Sequence, residues 1–220
     1  MENVNQRTQD NLEVYRVKRD FAITPEPPGG ERERLERPAF VIQKHDASTL
    51  HYDVRLEVDG VLKSWAVPKG PSLNPRDKRL AMPTEDHPMG YADFEGVIPA
   101  GQYGGGTVIV WDTGTYRNTT QRKGDPVPMA EALTQGHATF ALEGHKLRGG
   151  WALTRVATGD DERWLLVKRS DDESDLARNV VEAEPMSVLS GRTIEEMAAA
   201  HGIAARIRPR GRKAIAAQQP

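Results

Sequence analysis

The stretch Gln43–Arg55, QKHDASTLHYDVR, packs two histidines, an aspartate and an arginine into thirteen residues. It continues as LEV, and across its second half Tyr52, Val54, Leu56 and Val58 alternate with His51, Asp53, Arg55 and Glu57. Strict alternation of apolar and polar residues is the pattern of a β-strand with one face turned to a core. Same-face neighbours on a strand lie roughly 7 Å apart, so the His51 imidazole and the Asp53 carboxylate can lean onto one cation, with His45 arriving from the preceding segment. Arg55, roughly 13 Å from His51 on the same spacing, is placed to meet an anionic oxygen beside that cation. Two nitrogens, one carboxylate and a guanidinium predict a metal site that handles phosphate. An H-x-D pair alone is a weak motif. Its weight here comes from the further histidine six residues upstream and from the charged cluster around Thr84–Tyr91.

Outward from this strand the chain reads as β throughout its middle. Ala39–His45, Leu50–Val58 and Val61–Val67 are strands, the last two joined at Asp59-Gly60, a two-residue hairpin turn. Arg79–Met82, Thr107–Trp111, Ala138–Leu142, Trp151–Val156 and Arg163–Lys168 bring the number to eight. Many short strands with Gly and Pro turns and little helix predict a mainly β fold, a closed or nearly closed eight-stranded β-barrel with flanking loops and short helices. The helices expected are Met129–Gln135, stopped by Gly136, and one opened by the capping-box pattern Thr193-Ile-Glu-Glu196 and stopped by Gly202. Residues 1–37, polar and punctuated by Pro25, Pro27, Pro28 and Gly29-Gly30, are expected to form an extended arm able to fold back over the site. The expected division is arm 1–37, barrel 38–172, and connector, short helix and basic tail 173–220.

Composition bounds the chemistry. The chain has 220 residues and no cysteine, which removes disulfides, thiolate metal ligands and a cysteine nucleophile. No apolar run nears the roughly 18 residues that span a bilayer, and the N-terminus lacks the apolar core of a signal peptide, so a cytoplasmic protein without membrane contact is expected; a monomer associated with the nucleoid is the further expectation. The formal net charge of −2 conceals an asymmetry: residues 203–220 carry four arginines, one lysine and no acid. A basic tail on an acidic body suits nucleic acid or an acidic partner.

A second cluster follows at Thr84-Glu85-Asp86-His87-Pro88 with Tyr91, Asp93 and Glu95. The proline biases His87 to extended backbone, read here as a loop that points the imidazole into a cleft. Lys69, in the turn after the third strand, and Arg79 add positive charge if the barrel brings them near Arg55, and arginine suits phosphate because its planar fork bonds two oxygens at once. Gly101-Gln-Tyr-Gly-Gly-Gly106 is neither a dinucleotide fingerprint nor a Walker loop and precedes a strand. It reads as a turn whose glycines admit close backbone approach.

QKHDASTLHYDVRLEVDGVLKSWAVPKGPS, EDHPMGYADFEGVIPAGQYGGGTVIVWDTG, KLRGGWALTRV and RWLLVKRSDD closely resemble the 3′-phosphoesterase domain of bacterial DNA ligase D over Arg19–Asp172. SVLSGRTIEEMA resembles the connector that follows this module in the multidomain ligases. The resemblance implies an eight-stranded barrel and manganese-dependent trimming of DNA or RNA-DNA primer-template 3′ ends, with other divalent first-row metals able to use the same ligands. It places the metal ligands on His45, His51 and Asp53 and the phosphate contacts on Arg19, Arg55, Arg79 and His87. Asp20, Glu26, Gln43, Lys69, Glu85 and Tyr91 match further residues lining the family's site. Pro83-Thr84 and Gly90 depart from the commoner family residues, Gly90 standing where an acid usually precedes the tyrosine. Neither a polymerase nor a ligase pattern is found, so sealing is expected to involve a separate DNA ligase or other end-joining proteins.

The implied activity removes 3′-terminal ribonucleosides and 3′-phosphates to leave a 3′-hydroxyl. Arginines would stabilise charge on the phosphate oxygens, and His87 would donate to one of them or protonate the leaving group. Two other classes stay open on residues alone. A non-haem iron oxygenase would pair His51 and Asp53 with His137 or His145, using Arg148 or Arg155 for an oxoacid. A non-catalytic module would bind nucleic acid through its tail only.

Overall fold

The structure, a computed structural model, describes residues 12–30 and 35–203. Its centre is a closed antiparallel barrel of eight strands: β1 (Ala39–Asp46), β2 (Leu50–Val58), β3 (Val61–Val67), β4 (Arg79–Pro88), β6 (Gly106–Asn118), β9 (His137–Gly144), β10 (Arg148–Ala157) and β11 (Arg163–Lys168). The order around the barrel is β1-β2-β3-β4-β11-β10-β9-β6, and the β6–β1 ladder closes it. Strand β5 (Gly96–Ile98) adds to the end of β6, and β7 (Gln121–Arg122) with β8 (Asp125–Pro126) form a separate small hairpin.

The eight expected strands are present, and β4 and β6 run furthest beyond the bounds the alternation suggested. β4 runs on through Glu85 and His87 to Pro88, so His87 stands in a strand and not in a loop. Pro83 is tolerated because β11 pairs β4 only over Arg79–Ala81, leaving that edge without a strand from Met82 onward. β6 continues past Trp111 because Gly114 lets the β9 backbone come close: a Cβ there would meet the Glu143 carbonyl oxygen at 2.2 Å. At the β2–β3 hairpin Asp59 and Gly60 both have positive φ, 52° and 80°, as a primed turn requires.

The alternation sorts side chains onto two faces, and both are buried. Phe40, Ile42, Tyr52, Val54, Leu56, Trp65, Trp111, Phe140, Trp151 and Trp164 fill the interior. On the outer face of β1, β3 and β6 a second apolar cluster joins Val41, Leu62 and Val110 to Leu12, Tyr15, Tyr91 and Ala92. Tyr15 belongs to α1 (Glu13–Val17), a short helix in the arm that was expected to be merely extended. The arm thus lies over the outside of the barrel, and Gln43, His45, Asp53 and Arg55 are buried on that side.

The C-terminal flank packs on the same body. Helix α2 (Met129–Thr134) precedes β9, and α3 (Val180–Ala183) and α4 (Ile194–Ala200) follow the barrel. The α4 capping box forms as expected between Thr193 and Glu196. Ile194 and Met197 of α4 bury against Ile109 and Leu50, and the Val188 N–H donates to the Val110 carbonyl at 2.9 Å. Among the described residues no helix is long and apolar enough to cross a membrane.

Candidate active site

β1 and β2 pair with His45 opposite His51 and Gln43 opposite Asp53, so the hairpin itself assembles the ligand set. One donor atom from each of His45, His51 and Asp53 lies within 4.8 Å of the others. The His45 Nδ1 is 3.6 Å from one Asp53 oxygen and the His51 Nε2 is 3.7 Å from the other. The remaining imidazole nitrogens face backbone carbonyls: His45 Nε2 lies 2.8 Å from the Gly104 oxygen, His51 Nδ1 2.8 Å from the Thr49 oxygen. A carbonyl can only accept, so each of those nitrogens carries the proton and the lone pairs at His45 Nδ1 and His51 Nε2 turn toward Asp53. Outer-sphere fixing of the tautomer in this way is what metal-binding histidines use. The donor set therefore fits a divalent cation.

Arg55 leans back toward this group. Its Cα spacing from His51 suggested a remote charge, yet the long side chain folds so that Nη2 donates to Asp53 at 3.2 Å. Nε donates to the Gln43 side-chain oxygen at 2.8 Å and Nη1 to Ser64 Oγ at 2.8 Å. Gln43 is in turn held by the Tyr91 and Phe94 carbonyls, at 3.1 and 3.0 Å. Gln43 is fully buried behind Arg55 and does not line the cavity; its contact is with the guanidinium. Burial alone would raise the Asp53 carboxyl, but the Arg55 charge beside it holds it well below the usual carboxylate range.

His87 is the centre of a second knot. Arg55 Nη1 is 2.9 Å from its Nδ1, and Arg19 Nη2, from the arm, is 3.3 Å from its Nε2. The Glu85 carbonyl lies 2.8 Å from Nδ1, the acceptor for the one proton of a neutral ring, which leaves Nε2 to accept from Arg19. Burial first, then the charges of Arg55 and Arg19, push the His87 pKa well below the ordinary 6.5. Arg19 donates to Glu26 at 2.8 Å and to Glu85 at 3.0 Å, and its guanidinium carbon lies 3.9 Å from the Tyr15 ring centre. Tyr91 donates its hydroxyl to Glu26 at 3.0 Å. The arm is thus tied to the barrel through the site.

A cavity of about 190 Å³ opens between these groups, lined by His45, His51, Asp53, Arg55, Arg19, Glu26, Glu85, His87 and Tyr91 among others. Four of the residues singled out in the sequence stand elsewhere. Lys69 is exposed in the turn after β3. Arg79 begins β4 and donates to Asp77 at 3.0 Å. Asp20 is exposed and caps a local turn, accepting from the Ala22 N–H, and Gln43 lies behind Arg55. Sequence reasoning missed Tyr103, Gly104 and Ser64. The first two stand in the glycine-rich 101–106 segment, read as purely structural, where an aromatic between glycines was the available signal. Ser64 carried no signal beyond its face of β3. His137 bonds Thr154 and neither it nor His145 belongs to the metal-binding group, which removes the ligand set of the oxygenase reading.

The barrel thus carries a donor set that fits a divalent cation, with the Arg55 and Arg19 guanidiniums buried beside it. The family model described as "DNA Ligase D 3'-phosphoesterase domain" matches residues 43–155, and the chain belongs to that family. It is 52% identical over 189 residues to the multifunctional non-homologous end joining protein LigD of Pseudomonas aeruginosa, covering 83% of this chain and 22% of that protein. To the multifunctional non-homologous end joining DNA repair protein LigD of Mycobacterium tuberculosis it is 46% identical over 157 residues, 71% of this chain and 19% of the other. To the LigD of Mycolicibacterium smegmatis it is 39% identical over 166 residues, covering 75% and 21%. The chain spans about a fifth of the length of these relatives.

Proposed function

We propose that this chain is a manganese-dependent DNA 3′-end-processing phosphoesterase that removes 3′-terminal ribonucleosides and 3′-phosphates, leaving a 3′-hydroxyl for ligation. The observation that carries the reading is the fixed His45–His51–Asp53 donor set with the Arg55 guanidinium bonded directly to its carboxylate. Family membership supports it. Imidazole with carboxylate suits Mn²⁺, though other first-row divalent ions fit the same donors.

The charges explain why a metal belongs in the scheme. Lys18, Arg19 and Arg55 are matched by Glu26, Glu85 and Asp53, all within ion-pair distance. A divalent ion on His45, His51 and Asp53 would supply the net positive charge that holds a phosphate and can lower the pKa of a bound water. Arg55 is locked by Asp53, Gln43 and Ser64 before any phosphate arrives, so little reorganisation accompanies the transition state. His87 is a neutral acceptor in this arrangement and a poor acid at neutral pH. A phosphate brought against Arg55 and Arg19 offsets the two charges that depress His87, so proton uptake at its Nε2 is coupled to substrate binding, and the same nitrogen then donates to a phosphate oxygen or to the leaving group. Glu26 and Tyr91 orient Arg19. Arg79, Lys69 and Asp20, outside the cavity, are read as contacts to the strand leading away from it.

The deciding experiment incubates a labelled primer-template ending in a 3′-ribonucleotide or a 3′-phosphate with and without Mn²⁺. Metal-dependent loss of the ribonucleoside and then of the phosphate is expected. Products altered only at their 5′ ends, or no turnover with any first-row divalent ion, would overturn the proposal.

A further inference from the structure

The cavity over the metal ligands is small. At about 190 Å³ it falls below the roughly 300 Å³ where pockets for drug-sized ligands begin, so it has room for a phosphate group and its cation but not for a whole nucleotide. The nucleoside attached to that phosphate has to leave through the rim. Five lining residues carry rings: His45, His51, His87, Tyr91 and Tyr103. His45, His87 and Tyr91 are buried and His51 is a metal-site residue. Tyr103 is 47% exposed.

Tyr103 is also held in place. Its hydroxyl lies 3.1 Å from the Lys18 ammonium and donates to Glu85 at 3.3 Å. Lys18 stands 4.4 Å and the Arg19 guanidinium carbon 5.5 Å from the ring centre. The next residue, Gly104, supplies the carbonyl that fixes the His45 tautomer, so the ring is one residue from the metal site's own support. An open aromatic ring with two cations beside it, set at a fixed distance from a phosphate cavity, combines a stacking platform with positive charge, as single-strand nucleic-acid grooves do.

We infer that Tyr103 stacks on the base of the nucleoside whose 3′-oxygen carries the bound phosphate, and so sets how the strand end enters the site. The inference rests on the 3′-phosphoesterase reading above and adds the residue that grips the nucleoside. Base stacking is sequence-tolerant, so the contact favours any base over none.

The test compares Tyr103→Ala and Tyr103→Phe with wild type on primer-templates ending in a 3′-phosphate, carrying either a normal base or an abasic residue at that terminal position. With the normal base, Tyr103→Ala is expected to raise KM on the order of tenfold, the size of a single base–aromatic stack, with kcat nearly unchanged, while Tyr103→Phe stays within about twofold. On the abasic end wild type and Tyr103→Ala should have the same KM, because the partner of the ring is gone. In parallel, 2-aminopurine at the terminal position should change emission on binding wild type and Tyr103→Phe but not Tyr103→Ala. Equal damage in the Phe and Ala variants, or a Tyr103→Ala penalty that persists on the abasic end, would overturn the inference and leave Tyr103 as a holder of Lys18 and Glu85. Absence of turnover in wild type would sink the phosphoesterase reading instead, and the fluorescence arm would still decide on the ring.

Discussion

Among the described residues three side chains from one hairpin make up the group able to hold a metal ion, so each is expected to be indispensable for the metal. His51 is the most open of the three, with 19% of its side chain exposed, and its removal leaves the barrel interior untouched. His51→Ala should fold normally but lose turnover to background. The check independent of activity is melting: Mn²⁺ at about 100 times its dissociation constant stabilises a native site by roughly 2.7 kcal/mol, and this rise should vanish in the variant. Substantial activity of His51→Ala at saturating Mn²⁺ would show that the ligand scheme is wrong. His87 gives a second prediction, one of pH. It is buried among Arg55, Arg19, Tyr15, Tyr91, Ser64 and the Glu85 carbonyl and its folded pKa is depressed from 6.5. Below that value the unfolded chain takes up a proton that the folded one refuses, so stability is fully present above pH 6.5 and declines as pH falls toward the folded pKa. The slope approaches about 1.4 kcal/mol per pH unit for one whole proton. Urea midpoints between pH 7.5 and 5.5, taken with chelator present, should fall for wild type and fall less for His87→Gln; equal slopes would contradict the burial argument. At this scale the residue identities were legible from QKHDASTLHYDVR and the resemblance, whereas the tautomers were not, because the Gly104 carbonyl that fixes His45 is 59 residues away in sequence.

Between elements, what the alternation in β1 and β2 could not disclose is that the second face is covered. A polar set of alternate residues reads as a solvated face, yet Gln43, His45, Asp53 and Arg55 are all buried, because Leu12 and Tyr15 of the arm pack over Val41, Leu62 and Tyr91. The arm's own sequence carries too few apolar residues to announce this. The second half of β4 was hidden for a related reason, since Pro83 and Pro88 mark a break unless one knows that an edge is free. The Asp59-Gly60 hairpin and the α4 capping box were legible, being local chemistry. Gly90 has a physical account in the structure. Its N–H donates to the Gly30 carbonyl at 3.1 Å, and a Cβ would sit 3.0 Å from the Gly29 carbonyl oxygen, so a side chain there pushes against the returning arm. Gly90→Asp is expected to loosen residues 12–30, making them cleavable by a protease at concentrations that leave wild type intact. Turnover should drop several-fold through displacement of Arg19 and Glu26, while the Mn²⁺-induced rise in melting temperature stays. An arm equally protected in Gly90→Asp would show that the close approach carries no weight.

For the whole molecule, the charge balance separates the chemistry from the grip on nucleic acid. The site's buried cations are matched by buried carboxylates, so it offers a phosphate little net attraction beyond what a bound metal ion would supply. Long-range attraction must come from surface charge, and the body carries 25 basic against 32 acidic residues once residues 203–220 are set aside. Those last residues hold Arg206, Arg208, Arg210, Arg212 and Lys213 and, from 204 on, lie outside the described residues. If they meet the phosphate backbone, each neutralised phosphate releases counterions, and log K falls with log salt by roughly 0.9 per phosphate on duplex DNA. Deleting residues 204–220 is therefore expected to weaken binding of a 3′-phosphate primer-template most at low salt and to make the salt slope shallower by roughly 0.9 for every phosphate the tail neutralises. The kcat measured at saturating substrate should not move, since every residue lining the cavity lies upstream of Ile109. Titration of binding between about 50 and 200 mM salt, the range over which neutralising several phosphates changes affinity a thousandfold or more, reads the difference directly. An unchanged slope in the truncated chain would assign the tail to an acidic protein partner, and a fall in kcat would mean that it reaches into the site.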